Sequence, residues 1–251
     1  MATTAQDRPD RNIAPADEDA GIAFAALETS GPDGASAADK VAETIIRGIR
    51  SGAFVPGQHL VEHDLTRRLG ISRGSLREAL KHLAAAGIVT LNRFRGAYIS
   101  TLDRKSVLDL LQTLEPLCRL AAHLAAQHCD SDEKACELQE AAALVEESHR
   151  QRNRAEYLEM RRQFYFTLVD IGGNRELERV MPLSRTDLFR AQIEVIQTEK
   201  QRQLHASGYG KIARAVASRD PRAAERAVQK HFANTRKTIS ELPEHAFPSS
   251  V

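Results

Sequence analysis

Residues 39–101 hold five short segments, punctuated by glycines, in an order that few folds accommodate. Val41, Ile45 and Ile49 recur at four-residue steps, which predicts a helix opening near Asp39 and closing at Gly52. Pro56 and Gly57 mark a turn, and a short helix is expected over 62–69 with Leu65 and Leu69 inward. Gly70 then ends it, and Ser72 is a suitable N-cap for a helix from Arg73 to about Ala86. After Gly87, two apolar stretches at 88–91 and 97–101 flank Asn92-Arg93-Phe94-Arg95-Gly96, the pattern of a β-hairpin with a basic tip. Helix, short helix, glycine turn, second helix and basic hairpin is the order of a winged helix-turn-helix.

Charge agrees with that order. The formal net charge is only +1, but it is unevenly spread: residues 1–38 carry −5, residues 39–101 carry +5 and residues 102–251 carry +1. On the second helix Leu76, Leu80 and Leu83 make an apolar stripe, and Arg73, Arg77 and Lys81 fall on a neighbouring stripe at four-residue steps. One face can pack while the other enters a major groove. There the planar fork of arginine suits guanine O6 and N7, whereas lysine offers a less directional charge. Ser72, Gly74 and Ser75 keep bulk low at the helix start, so its amides can approach a phosphate. Arg93 and Arg95 could reach the backbone or the minor groove, with Gly96 permitting close approach. A basic stripe by itself is equally a solvated face; the ordered set of segments favours DNA.

The remainder reads as all-helical. Amphipathic stretches occur at about 103–128, 131–152, 154–171, 175–200, 204–218 and 221–240, with Gly172-Gly173-Asn174, Gly208 and Asp220-Pro221 as breaks. The expected fold is therefore mainly α: a winged helix-turn-helix with a small hairpin wing over 39–101, then an antiparallel helical bundle over 102–240. Residues 1–38, rich in Ala, Asp, Gly, Pro and Ser, are expected to be a disordered acidic tail, and 241–251 a C-terminal tail. No apolar run approaches a bilayer span, and the first residues lack a signal-peptide core, so a cytoplasmic protein with no membrane partner is expected. Cys118, Cys129 and Cys136 are odd in number and form no C-x-x-C pair; they are expected to be buried, reduced thiols. Nucleophile elbow, P-loop, H-E-x-x-H and glycine-rich nucleotide fingerprint are all missing; Gly208 and Gly210, taken to lie between helices, lack a preceding strand. An enzyme is not expected.

The elements PGQHL, LTRRLGISR, LREAL, AAGIV and RFRGAYIS, spread over residues 46–100, closely resemble the DNA-binding domain of GntR-type bacterial regulators. The resemblance implies that Arg73 and Arg77 contact bases or phosphates, that Ser72 and Ser75 support them, and that Gly96 sits at the wing tip. Gly74 stands where a proline or threonine is common, and His63 where some relatives carry an arginine on the preceding helix.

Residues 103–236 resemble, more weakly, the FCD-type bundle of the FadR-like branch, through LEPLCRLAAHLAA, FYFTLVDIGGNREL and IARAVASRDPRAAERAVQKHF. Relatives hold a divalent metal there with an Asp, a His four residues later and two further His. The corresponding residues here are Arg161, Tyr165, Tyr209 and His231, of which only the last is a ligand type, and Arg161 would repel a cation. A metal-free pocket without a cofactor is expected, with His205 and His123 as the donors available to a different arrangement. Arg161, Tyr165, Tyr209 and His231 converging in a bundle would suit an anionic effector with an aromatic or conjugated body. Alternatively, the tyrosines are core residues and Arg161 lies at a solvent edge. Arg185, Arg190 and Arg119 are further candidates for the effector site. Taken together these features predict a homodimeric, ligand-responsive regulator that binds a palindromic double-stranded operator, as a repressor of a catabolic operon. The alternative is an architectural DNA-binding protein whose bundle serves only to dimerise it.

Overall fold

In the computed structural model, residues 36–248 are described. The tail expected over 1–38 lies outside the described residues as far as residue 35. Ser36 already belongs to the fold: its side chain accepts from Asp39 N at 3.1 Å, and Asp39 Oδ2 accepts in return from Ser36 N at 3.3 Å. That reciprocal cap starts α1 (Ala37–Ser51), two residues earlier than the apolar period alone suggests. Val41, Ile45 and Ile49 form its buried stripe. α2 (Glu62–Leu69) and α3 (Arg73–Ala85) follow, joined through Gly70, with Ser72 capping α3 at Ser75 N, 3.0 Å away.

The wing has three strands where the sequence suggested two. β1 (His59–Leu60) pairs antiparallel with β3 (Gly96–Ile99), which pairs on its other side with β2 (Val89–Asn92), in the order β1-β3-β2. The register sets Leu60 opposite Ala97 and Val89 opposite Ile99, all buried. Two residues are too short to show alternation, so β1 carried no readable period.

The bundle is built on α4 (Arg104–His128), whose buried Leu110, Leu114, Cys118, Ala121, Ala122 and Ala125 face α6 (Arg154–Gly172), α9 (Glu199–Ala217) and α10 (Pro221–Glu241). α5 (Asp132–Arg150) packs on α6 and α9. The helix expected over 175–200 is broken into α7 (Arg175–Val180) and α8 (Leu183–Ile193), because Pro182 holds Met181 extended and caps α8. The chain then turns again before Thr198, which starts α9 with a capping box to Gln201.

Gly208 and Gly210, read as a break between helices, lie inside α9. A Cβ at 208 would sit 2.0 Å from His231 Nδ1, and one at 210 would sit 2.8 Å from Glu146 Oε1. Helix approach, not chain reversal, requires glycine there. The thiols of Cys118 and Cys129 are buried as expected, but Cys136 is exposed on α5 beside Glu140. Position 136 falls on the solvent side of a helix whose buried positions are Leu138, Ala141, Ala142 and Val145. The segment expected as a C-terminal tail is docked at its start, with Leu242, Ala246 and Phe247 buried and the Arg104 guanidinium over the Phe247 ring.

A single apolar cluster runs from Ala38 through the wing and bundle to Phe247. α1 lies against α3 on one side and against α6 and α8 on the other. Gln192 on α8 clamps the connection by accepting from Leu102 N at 2.9 Å and donating to Leu102 O at 2.8 Å. No helix among the described residues is long and apolar enough to cross a membrane.

Candidate DNA-reading face and effector cavity

α3 buries Leu76, Ala79, Leu80 and Leu83 against α1 and exposes Arg73, Gly74, Arg77 and Lys81. Arg73 and Lys81 make no ion pair among the described residues, while Arg77 Nε lies 3.2 Å from Glu62 Oε2 at the start of α2. That contact fixes the fork over the exposed face and leaves the side chain two-thirds exposed. Ser72 and Ser75 are committed to one another, Oγ to Oγ at 3.0 Å, so they order the helix start. His63 is exposed on α2, 3.6 Å from Asp64. Arg93 and Arg95 stand in solvent at the wing tip. Gly96 has φ +86°, and a Cβ there would come within 3.0 Å of His59 Nε2. Local chain geometry therefore already requires the glycine.

One residue on this face escaped the reading of the sequence. Phe94 is 91% exposed between Arg93 and Arg95, with the Arg93 guanidinium 5.9 Å from its ring centre. An aromatic inside a polar, basic turn was the available signal.

In the bundle the four positions aligned with the metal ligands of relatives do meet. Tyr165 and Tyr209 have ring centres 5.9 Å apart, Tyr209 and His231 4.9 Å, and Arg161 lies 5.4 Å from the Tyr165 ring. All four are buried. Arg161 is neither at a solvent edge nor on a cavity wall; it donates to Asp187 Oδ1 at 2.6 Å and to Thr186 Oγ1 at 2.7 Å. Burial pushes the Asp187 carboxyl up to about 6 while Arg161 pulls it back, so the pair is ionised at neutral pH. This donor set does not fit a divalent cation. A guanidinium and two phenols stand where ligands would be needed, and the described residues contain no cluster of three or more His, Cys, Asp or Glu able to hold a metal ion.

The cavity itself lies beside that cluster. It has a volume of about 450 Å³ and opens between the end of α5, the start of α6, the end of α8 and α9. Of the candidates named from sequence, Arg190 is on its wall, together with Tyr157, His149, His205, Arg154 and Arg202. Arg185 sits elsewhere, its guanidinium against Gly87 behind α3. Arg119 shares Glu225 with His123 across α4 and α10, each at 2.7 Å, on a shallow outer surface.

Most of the basic groups around the cavity already have partners. Arg202 and His149 meet Glu199 at 2.8 and 3.1 Å, and Arg154 meets Glu194 at 2.9 Å. Arg190 does not. It is 92% buried, meets no carboxylate among the described residues, and leaves Nε without a hydrogen-bond partner. Its Nη2 abuts His205 Nε2. A guanidinium can only donate, so that imidazole nitrogen must be the bare acceptor. Burial, with Arg190 close by, holds the His205 ring neutral, well below its ordinary value. The remaining ring proton is then on Nδ1 and donates to the Tyr157 hydroxyl, 2.5 Å away. Tyr157, kept a neutral phenol chiefly by burial, thus has an O–H to give in turn. The wall accordingly places a guanidinium without a counter-ion beside a phenol donor, a pair suited to one carboxylate.

A reading helix with a basic wing, joined to a helical bundle that encloses a cavity, defines the class of winged helix-turn-helix regulators. Residues 37–99 match the family described as "Bacterial regulatory proteins, gntR family", and residues 106–234 match the FCD domain. The chain belongs to this family, in its FCD-containing branch. It is 27% identical over 133 residues to the uncharacterized HTH-type transcriptional regulator YdhC of Bacillus subtilis, covering 53% of this chain and 59% of that protein. It is 31% identical over 124 residues to the Nta operon transcriptional regulator of Aminobacter aminovorans, covering 49% and 58%. The alignments thus span somewhat under two thirds of these two relatives. A longer match, 25% over 226 residues and 80% and 88% of the two chains, is to the Glc operon transcriptional activator of Escherichia coli K12. Among solved structures, Escherichia coli McbR/YncC superposes with a TM-score of 0.71 at 15% identity, over 82% of this chain and 98% of that one. A putative GntR regulator from Rhodococcus sp. RHA1 gives 0.67 at 19%, over the same shares. These likenesses show the fold.

Proposed function

We propose that the protein is a homodimeric repressor of a catabolic operon, which binds a palindromic duplex through α3 and the wing and leaves it when a small anionic metabolite fills the bundle cavity. Arg190 carries the ligand half of this reading. A buried guanidinium without a counter-ion is unfavourable unless something else supplies the anion, and it faces a cavity large enough for a small metabolite. Tyr157, Leu158 and Val195 give the same wall an apolar side, which favours a carboxylate on an aromatic or conjugated body.

Arg73, Arg77 and Lys81, with Arg93 and Arg95, are the residues assigned to DNA; His63, Ser72, Gly74, Ser75 and Gly96 shape or flank that surface. Arg161, Tyr165, Tyr209 and His231 back the cavity as its packed inner layer. Control of an operon is supported by the names of two relatives, an operon transcriptional regulator and an operon transcriptional activator.

The test starts from a duplex selected by the protein out of a randomised pool. Arg73→Ala and Arg77→Ala should each weaken its binding by about 5- to 150-fold, as expected for loss of a bidentate base contact, with unchanged melting temperature. Gel-shift affinities equal to wild type in both variants would sink the assignment. A selected site without dyad symmetry would sink the palindrome.

A further inference from the structure

Arg154 belongs to the cavity wall and to the reader's support at once. From the first turn of α6 it borders the cavity. Its Nε lies 2.9 Å from Glu194 Oε2, in the segment after α8 that also borders the cavity. Its Nη2 donates at 2.9 Å to the carbonyl of Ile49, in the last turn of α1. The end of a helix presents bare carbonyls and partial negative charge, so a cation there holds it favourably. α1 in turn is the helix against which α3 buries its apolar stripe.

We propose that Arg154 is the positioning residue through which occupancy of the cavity reaches the reader, its single guanidinium being shared between the cavity wall and the last turn of α1. Three acceptors then compete for one fork: Glu194, the Ile49 carbonyl and the incoming carboxylate. Glu194 and the ligand are charged and the carbonyl is not, so a second anion in the cavity draws Arg154 toward the bundle and weakens its hold on α1. α1 is thereby released to shift, and α3 with it. Lysine could not substitute, because Glu194 and the Ile49 carbonyl are met by two different nitrogens, Nε as an ion pair and Nη2 as a hydrogen-bond donor, and lysine has only one.

This inference rests on the cavity being the ligand site, and the two can fail separately. The probe is 1-anilinonaphthalene-8-sulfonate, an aromatic monoanion whose fluorescence reports binding, titrated into the full chain with and without its selected duplex. In wild type, saturating duplex should change the probe's Kd by about fivefold or more, the usual lower range of allosteric coupling. In Arg154→Gln and Arg154→Lys that ratio should fall to near one, while each variant still binds probe and duplex when either is measured alone, the probe more weakly than wild type does. Arg119→Gln, which alters an arginine on the outer surface of the bundle away from both cavity and reader, should keep the wild-type ratio.

A ratio retained in both position-154 variants overturns the role of Arg154 and leaves the ligand site intact. So does outright loss of duplex binding in both, since Arg154 would then be part of the reader's fold, and so does a wild-type ratio near one. Probe binding that is indifferent to Arg190→Met overturns the ligand site, and this inference with it.

Discussion

On α3 the guanidinium groups of Arg73 and Arg77 stand in water, whereas in the bundle those of Arg161 and Arg190 are buried. A solvated charge costs little to keep and so says little about purpose; even the Arg77–Glu62 contact, exposed as it is, contributes little to stability. Burial reverses the inference. A guanidinium taken out of water must be compensated, so its partner, or the lack of one, carries information. Arg161 has Asp187 and Thr186, which makes it structural. Arg190 has a neutral imidazole and no carboxylate among the described residues, which makes it receptive.

The largest expected effect separates those two buried arginines. Asp187→Ala strands Arg161 and should destabilise the protein by about 3–5 kcal/mol in a denaturant melt, the usual result of breaking a buried pair. Arg190→Met removes a charge that has no counter-ion and should be neutral or stabilise by about 1 kcal/mol. Equal losses in the two variants would erase the distinction between a structural and a receptive arginine.

Acid titrates the same inner layer. Burial lowers His231 to about 3, with Arg190, Arg161 and Lys211 adding to the effect, and His205 is lowered in the same way. Both rings are neutral when folded, and the unfolded chain takes up their protons below about 6.5. Their contribution is therefore complete above that pH and is lost as pH falls toward 3. Asp187 runs the other way: its folded value of about 6 exceeds the unfolded 3.8, so its share improves as pH falls through 6. Two histidines against one carboxyl leave a net loss, and the melting temperature should drop between pH 6.5 and 4. His231→Gln should flatten that slope, and an unchanged slope would mean that the ring is not neutral in the fold.

The two regions also differed in how far sequence revealed them. α2 and α3 were legible because their ends are set by local chemistry, Gly70 and the Ser72 cap, which sequence displays directly. The cavity wall was not, since His149, Tyr157, Arg190 and His205 come from four helices and share no period. A partial signal existed. Tyr157, Arg161 and Tyr165 recur at four-residue steps, as do His205 and Tyr209, placing polar groups on faces otherwise buried. The landmark positions Arg161, Tyr165, Tyr209 and His231 do meet, but as packed neighbours behind the wall, a distinction of a few ångströms that spacing along a helix cannot make. The break at Pro182 was visible in the sequence, yet α8 beyond it is buried on most of its faces and carries no amphipathic period that would mark a new start.

The smallest expected effect on stability lies at the wing. Phe94 buries almost nothing, so Phe94→Ala should leave the melt within about 0.5 kcal/mol of wild type. An exposed aromatic ring between two arginines is nonetheless placed where the wing would meet a minor groove, against sugar faces or at a base step. Apolar contact of that kind releases no counterions. The variant should therefore lose affinity for the selected duplex at every salt concentration, with the slope of log K against log salt unchanged. Arg93→Ala should instead reduce that slope by about one, as removal of a phosphate contact does. If Phe94→Ala also flattens the slope, the ring acts by positioning its arginine neighbours, and the wing reads charge alone.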